Sequence, residues 1–149
     1  MDAKALEILI ERARNARDSA ATRAAQHHKL AERARASLAQ LQRYAGDYGR
    51  RASDQRGRGL DIAAELNQRA FDGRLQHAIR SQAEEAERCA RTAQESAEEQ
   101  ARCERRLRSL EKLVQRQAAT ALALANKREQ KFNDDLASRA TAAFATKEA

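Results

Sequence analysis

The chain has 149 residues, of which 34% are charged and 3% aromatic, with no Pro, no Trp and a formal net charge of +7. Much of the 42% counted as hydrophobic is Ala, so large apolar side chains, each worth about 1.5–3 kcal/mol when fully buried, are too sparse for a layered globular core. The composition excludes a transmembrane helix, because no run of about 18 apolar residues occurs, and favours long helices or a coiled coil.

The amino-terminal stretch "MDAKALEILIERA" carries acidic residues inside its apolar run and lacks the apolar core of a signal peptide, so a soluble, cytoplasmic protein is expected. A first helix is predicted over residues 4–48. Alternating steps of three and four from the first leucine select Leu6, Leu9, Ala13, Ala16, Ala20, Arg23, His27, Leu30, Ala34, Ser37, Leu41, Tyr44 and Tyr48, ten of the thirteen apolar or aromatic. A sustained 3.5-residue repeat with charges between the seam positions is the signature of a coiled coil. His27 falls on this seam and His28 just off it. Adjacent helical residues project about 100° apart, so the two cannot readily share a metal face.

"GDYGRRASDQRGRG", from Gly46 to Gly59, holds four of the five glycines. The chain is expected to reverse there, over residues 49–60. Glycine accepts left-handed dihedrals after a helix without the Cβ penalty, and Asp61 is placed to cap a second helix. One unbroken helix would instead carry these glycines at about 1 kcal/mol each relative to Ala.

The second helix is predicted over 61–140, with a frayed tail at 141–149. Its seam reads Leu75, Ile79, Gln82, Ala86, Cys89, Ala93, Ser96, Gln100, Cys103, Leu107, Leu110, Val114, Gln117, Ala121 and Leu124, and Gly73 is a soft point near its start. Small and polar residues in the middle of both tracks imply weak packing there. Cys89 and Cys103 are 14 residues apart, about 21 Å along a helix, too far for a bond within one helix. Neither has a ligand-spaced His or Cys, and small seam residues is their simplest reading. The whole is expected to be a single all-α domain, an antiparallel two-helix coiled-coil hairpin, with the C-terminal part of helix two overhanging or folding back.

Charge is unevenly spread. Residues 1–80 carry +6, residues 81–104 carry −4 and residues 105–149 carry +5. In an antiparallel hairpin the acidic segment lies against the basic first half of helix one, which predicts cross-helix ion pairs, each worth well under 1 kcal/mol when exposed. The basic C-terminal stretch is left for an outside partner. Arginines scattered around the helices, without interleaved aromatics for base stacking, argue against nucleic acid. No G-x-x-x-x-G-K-[ST] loop is present, and neither cysteine has a triad-like setting. No catalytic residue, metal site or cofactor is expected, and the protein is not read as an enzyme.

The aromatics cluster in the sequence. Tyr44 and Tyr48 are one turn apart, and Phe71, Leu75 and Ala78 share one face of the returning helix. Antiparallel pairing brings the two stripes together near the tip. They either close the hairpin or form a docking patch, since Tyr and Phe supply large contact area at low entropic cost.

Residues 110–140, "LEKLVQRQAATALALANKREQKFNDDLASRA", resemble the C-terminal segment of the flagellar export protein family FliJ. The matching run comprises Gln115-Arg116-Gln117, the small apolar stretch Ala118 to Leu124, Asn126 to Lys131, Asp134 with Asp135, and Ala137 to Ala140. "LQRYAGDYGRR" is similar to the family's Leu-x-x-Tyr-x-x-x-Tyr run at Leu41, Tyr44 and Tyr48. "FDGRLQHAI" matches its Phe-x-x-x-Leu-x-x-Ala pattern at Phe71, Leu75 and Ala78. Two positions depart: members can carry His where this chain has Gln82, and Ser37 stands in place of Gln.

The resemblance implies a component of flagellum biogenesis, motility and chemotaxis through type III protein export. It implies a stalk-like hairpin whose joined ends sit in the hexameric flagellar export ATPase and promote assembly of that ring, with Arg116, Arg128, Lys131 and Arg139 as ring-contact candidates. It implies that Leu41, Tyr44, Tyr48, Phe71, Leu75 and Ala78 contact the cytoplasmic linker of the export gate, and that export chaperones are handled as well. By the same resemblance the protein is cytoplasmic, held peripherally at the cytoplasmic face of the inner membrane without direct insertion, and monomeric when free. A stalk of a virulence type III secretion system and a generic coiled-coil scaffold are the alternatives. Genomic neighbourhood separates the first, and the mass of the free particle separates the second.

Overall fold

A computed structural model describes residues 2–59 and 61–148. They form two helices, α1 (Ala3–Arg56) and α2 (Ile62–Lys147), with no strand among the described residues. The fold is an all-α helical hairpin. Two compact units can be distinguished: Asn15–Glu104, and Met1–Arg14 with Arg105–Ala149.

The first of these units contains the reversal. α1 runs to Arg56 and α2 begins at Ile62, so Gly46 and Gly49 lie inside the helix rather than in the expected reversal over 49–60. α1 closes by tightening: the Gly57 amide still donates to the Ser53 carbonyl at 3.2 Å, while the amides of Arg58 and Gly59 donate to the carbonyls of Gln55 and Arg56 at 3.1 and 3.3 Å. Those last two bonds span three residues, the tighter pattern typical of helix ends. Gly59 then takes φ +84°, a backbone conformation that L side chains rarely adopt. On the far side the Asp61 carbonyl accepts the first helical bond, from the Glu65 amide at 3.1 Å. Pairing within the unit is antiparallel. Arg23 meets Glu99 at 3.2 Å, His27 bonds Ser96, the Gln82 side chain donates to the Ala34 carbonyl at 3.2 Å, and Tyr48 lies against Phe71.

The α1 seam differs from the expected one by one residue in every second position. Ala20 and Ala34 are buried as expected, with His27, Leu41 and Tyr48 half-buried. The intervening positions are Ala24, Ala31, Leu38, Ala45 and Ala52, buried or half-buried, whereas the expected Ala16, Arg23, Leu30, Ser37 and Tyr44 are all exposed. The α2 track runs as expected from Leu75 to Gln100, with Leu75 and Ser96 buried and the positions between them half-buried.

The second unit holds the largest apolar cluster. Leu6, Ile10, Ala13 and Leu107 are buried together, with Leu110 and Leu113 packed against them. Asp2 begins α1 here: its carboxylate accepts from the Lys4 amide at 3.4 Å and its carbonyl from the Leu6 amide at 3.1 Å. Here too the seam takes Ile10 where Leu9 was expected, Leu9 being only half-buried. Beyond Leu113 the expected track is exposed at Val114, Ala121 and Leu124, with Gln117 half-buried between them. Residues 118–148 are exposed throughout yet helical to Lys147, so the expected fraying from 141 is not seen.

Ion pairing is more local than the charge blocks suggested. Arg23–Glu99 at 3.2 Å and Arg14–Glu111 at 3.9 Å cross between helices. Arg35–Glu32, Arg50–Asp47, Arg69–Glu65, Arg88–Glu85 and Arg91–Glu87 instead stay on one helix. Residues three or four apart on a helix are already neighbours, so most of the carboxylates in these pairs meet an arginine before the other helix is reached.

Candidate functional site

The reversal positions three aromatic rings from two helices. Tyr44 and Tyr48, one turn apart on α1, stack with ring centroids 6.4 Å apart, and Tyr48 tilts onto Phe71 of α2 at 4.5 Å. Such offset and tilted contacts suit the ring quadrupoles better than a face-to-face sandwich. Burial grades across the cluster: Tyr44 is 53% exposed, Tyr48 and Phe71 are half-buried, and Leu75 is buried. Leu41 is half-buried, and Ala78 is exposed one turn beyond Leu75. The six expected patch residues therefore divide. Tyr44, Tyr48 and Phe71 present ring surface to solvent, while Leu75 serves the seam beneath them.

A groove of 410 Å³ opens beside these rings, lined by Tyr48, Gln55, Asn67, Gln68, Phe71 and Arg74. Ala52 is buried on the same α1 seam. The expected α2 track began at Leu75, so Gln68 lay outside it. It stands three residues before Phe71 and seven before Leu75, which is the spacing of the seam itself.

The four expected ring-contact cations are all exposed on the uncovered part of α2. At 100° per residue, Arg128, Lys131 and Arg139 fall within about 80° of arc, while Arg116 lies roughly 120° from Arg128. Arg116 lies about 60° from Lys131, so the four spread over about 140° of arc. Leu122, Phe132, Leu136 and Phe144, each 49–73% exposed, occupy an adjoining arc, which makes this stretch an amphipathic helix without a facing partner.

Mid-hairpin, the Cys89 thiol donates to Glu85 Oε1 at 3.6 Å, and Arg88 Nε donates to Glu85 Oε2 at 3.1 Å. Arg88 holds the Glu85 carboxyl below its ordinary value, by hydrogen bonding first and charge second. Partial burial, with the Glu85 charge, pushes the Cys89 thiol up. That environment favours the inert thiol over the thiolate. Among the described residues no group of three or more His, Cys, Asp or Glu is placed to hold a metal ion, and no helix is long and apolar enough to cross a membrane.

An antiparallel helical pair with aromatics gathered at its reversal and an exposed amphipathic stretch defines a protein of the coiled-coil class. The family model described as "Flagellar FliJ protein" matches residues 2–144, and the chain belongs to that family, which makes it a flagellar export-related protein associated with the export apparatus. No curated protein and no solved structure matches it.

Proposed function

We propose that the protein is the stalk of the flagellar export ATPase, entering the hexameric ring with its paired chain ends, promoting ring assembly and linking the ring to the cytoplasmic linker of the export gate. It works without catalysis, through contacts, at the cytoplasmic face of the inner membrane, and it escorts export chaperones. The observation that carries this reading is the Tyr44–Tyr48–Phe71 cluster at the reversal in a chain of this family. Three rings from two helices form a preorganised contact surface, and rigid aromatic anchors are the side chains that dominate binding energies. Secondary support comes from the uncovered extension. Its apolar arc has nothing to pack on in the isolated chain, and Arg128, Lys131 and Arg139 beside it suit screened contacts with acidic surfaces of a ring.

The test is the double substitution Tyr44→Ala with Phe71→Ala. Circular dichroism should show unchanged helicity, since Tyr44 is exposed and Phe71 only half-buried at the end of a long seam, while capture of the export gate's cytoplasmic domain should fall to background. Capture at the wild-type level by the double variant would end the gate assignment.

A further inference from the structure

The last stretch of α2 carries a pattern with a centre of symmetry. Residues 118–147 make about 45 Å of helix, and every one of them is exposed. At 100° per residue, Ala121, Ala125, Glu129, Phe132, Leu136, Arg139 and Ala143 share one face about 80° wide. Phe132 and Leu136 are 63% and 49% exposed on it. The centre falls at position 134. Phe132 and Leu136 stand two residues to either side, Glu129 and Arg139 five, and Ala125 and Ala143 nine. Asp134 itself lies on the opposite side of the helix, about 180° from the middle of this face.

Such a face fits a second copy of itself set antiparallel, because a two-fold contact makes every pairing twice. Phe132 then meets the partner's Leu136, Ala125 meets the partner's Ala143, and Glu129 meets the partner's Arg139. Between Ala121 and Ala143 these two are the only charged residues on the face. Neither side chain makes an ion pair or hydrogen bond within the chain among the described residues. A parallel pairing would set each charge against its own copy, and like charges at close quarters oppose association. The pair therefore selects orientation and register together, the best-attested use of polar groups in a helix seam. Attraction comes from the apolar groups, which a lone helix leaves in water.

We propose that residues 121–143 of α2 pair with the same stretch of a second copy in an antiparallel contact centred on position 134. The pairing goes beyond the stalk reading and stands without it. The monomer that the family resemblance implies is the dilute form. Under the stalk reading the dimer also covers Arg139, a ring-contact candidate, so self-pairing and ring entry exclude each other.

Sedimentation equilibrium of the full chain over an about hundredfold range of concentration tests this. The average mass should climb from 16.6 kDa towards twice that value. Phe132→Ala should weaken the dimer at least about tenfold, with circular dichroism of the dilute chain unchanged because the ring is exposed. Glu129→Arg and Arg139→Glu should each leave the chain monomeric. An equimolar mixture of those two variants should form a dimer again, and the double variant Glu129→Arg/Arg139→Glu should dimerise as tightly as the wild type. The Tyr44→Ala/Phe71→Ala variant should also dimerise like the wild type, which keeps this proposal separate from the gate assignment. A single species of 16.6 kDa at every concentration leaves the face to some other partner and overturns the proposal. A dimer that tolerates either single charge reversal overturns it as well, since that dimer forms through another surface.

Discussion

The packed region near the chain ends and the packed region between it and the reversal are built from different side chains. At the ends Leu6, Ile10 and Leu107 are buried, with Leu110 and Leu113 against them. In the middle the buried α1 positions are Ala20, Ala24, Ala31 and Ala34, and the cross-helix contacts include the polar pair His27–Ser96 and the Gln82–Ala34 bond. A leucine removes several methylenes from water at about 0.8 kcal/mol each, and an alanine removes one. Cohesion is therefore concentrated at the ends, while the middle relies on close approach and a few directional bonds. Local opening should follow the same order, because segments with little buried apolar area exchange their amides first.

The strongest way to break that comparison is to truncate one residue of each kind. Leu107→Ala should lose about 2–5 kcal/mol, the range for a buried leucine, whereas Ala24→Gly should lose about 1 kcal/mol from helix propensity. Urea denaturation followed by circular dichroism reads both, and equal losses would mean that the ends hold no special share of the stability. Glycine positions give the next largest effect and separate the helix interior from the reversal. Nothing lies within 4 Å of a Cβ added at Gly46 or Gly49, so Ala at either should stabilise by about 0.5–1 kcal/mol. Gly59, at φ +84°, should lose about 1–2 kcal/mol as Ala, and melting temperatures should move in opposite directions. The smallest effect sharpens the picture of the loose middle. With its thiol pushed up, Cys89 carries less thiolate near pH 8 than a simple thiol, so iodoacetamide should label it slowly and faster as pH rises. Glu85→Gln removes the charge and leaves a weaker, neutral acceptor in place of the carboxylate, and both the charge and the hydrogen bond raise the thiol. In a Cys103→Ala background that variant should be labelled faster, with unchanged melting, and an unaltered rate would mean that the carboxylate does not govern the thiol.

The hairpin was legible because the absence of proline, the glycine cluster and the heptads all point the same way. The seam frame on α1 was not. From Leu6 a heptad can continue by three or by four, and stepping by three collects Leu9, Leu30 and Tyr44, which look like core. The helix takes the other step, through Ile10, Ala24, Ala31, Leu38, Ala45 and Ala52, with Arg17 as the one charged member, half-buried. The fully buried positions of this frame are alanines apart from Ile10, while Leu30 and Tyr44 stand exposed on the flank. That placement is what leaves the Tyr44 ring available at the surface. Two glycines tolerated inside α1 carried the helix past the expected stop. The reversal moved with it, which adds residues beyond Tyr48, Ala52 among them, to the buried face of α1. The aromatic trio could be read from i, i+4 spacing, whereas the burial of Gln68 could not, because the expected track began at Leu75.

Antiparallel pairing also sets a timetable for synthesis. Tyr48 and Phe71 can meet as soon as the reversal has left the ribosome, but Leu6 must wait for Leu107. At about 5–20 residues per second, the gap of roughly one hundred residues lasts some 5–20 seconds. For that interval the earliest-made residues wait with Leu6 and Ile10 uncovered, and their partner arrives only when Leu107 has been made.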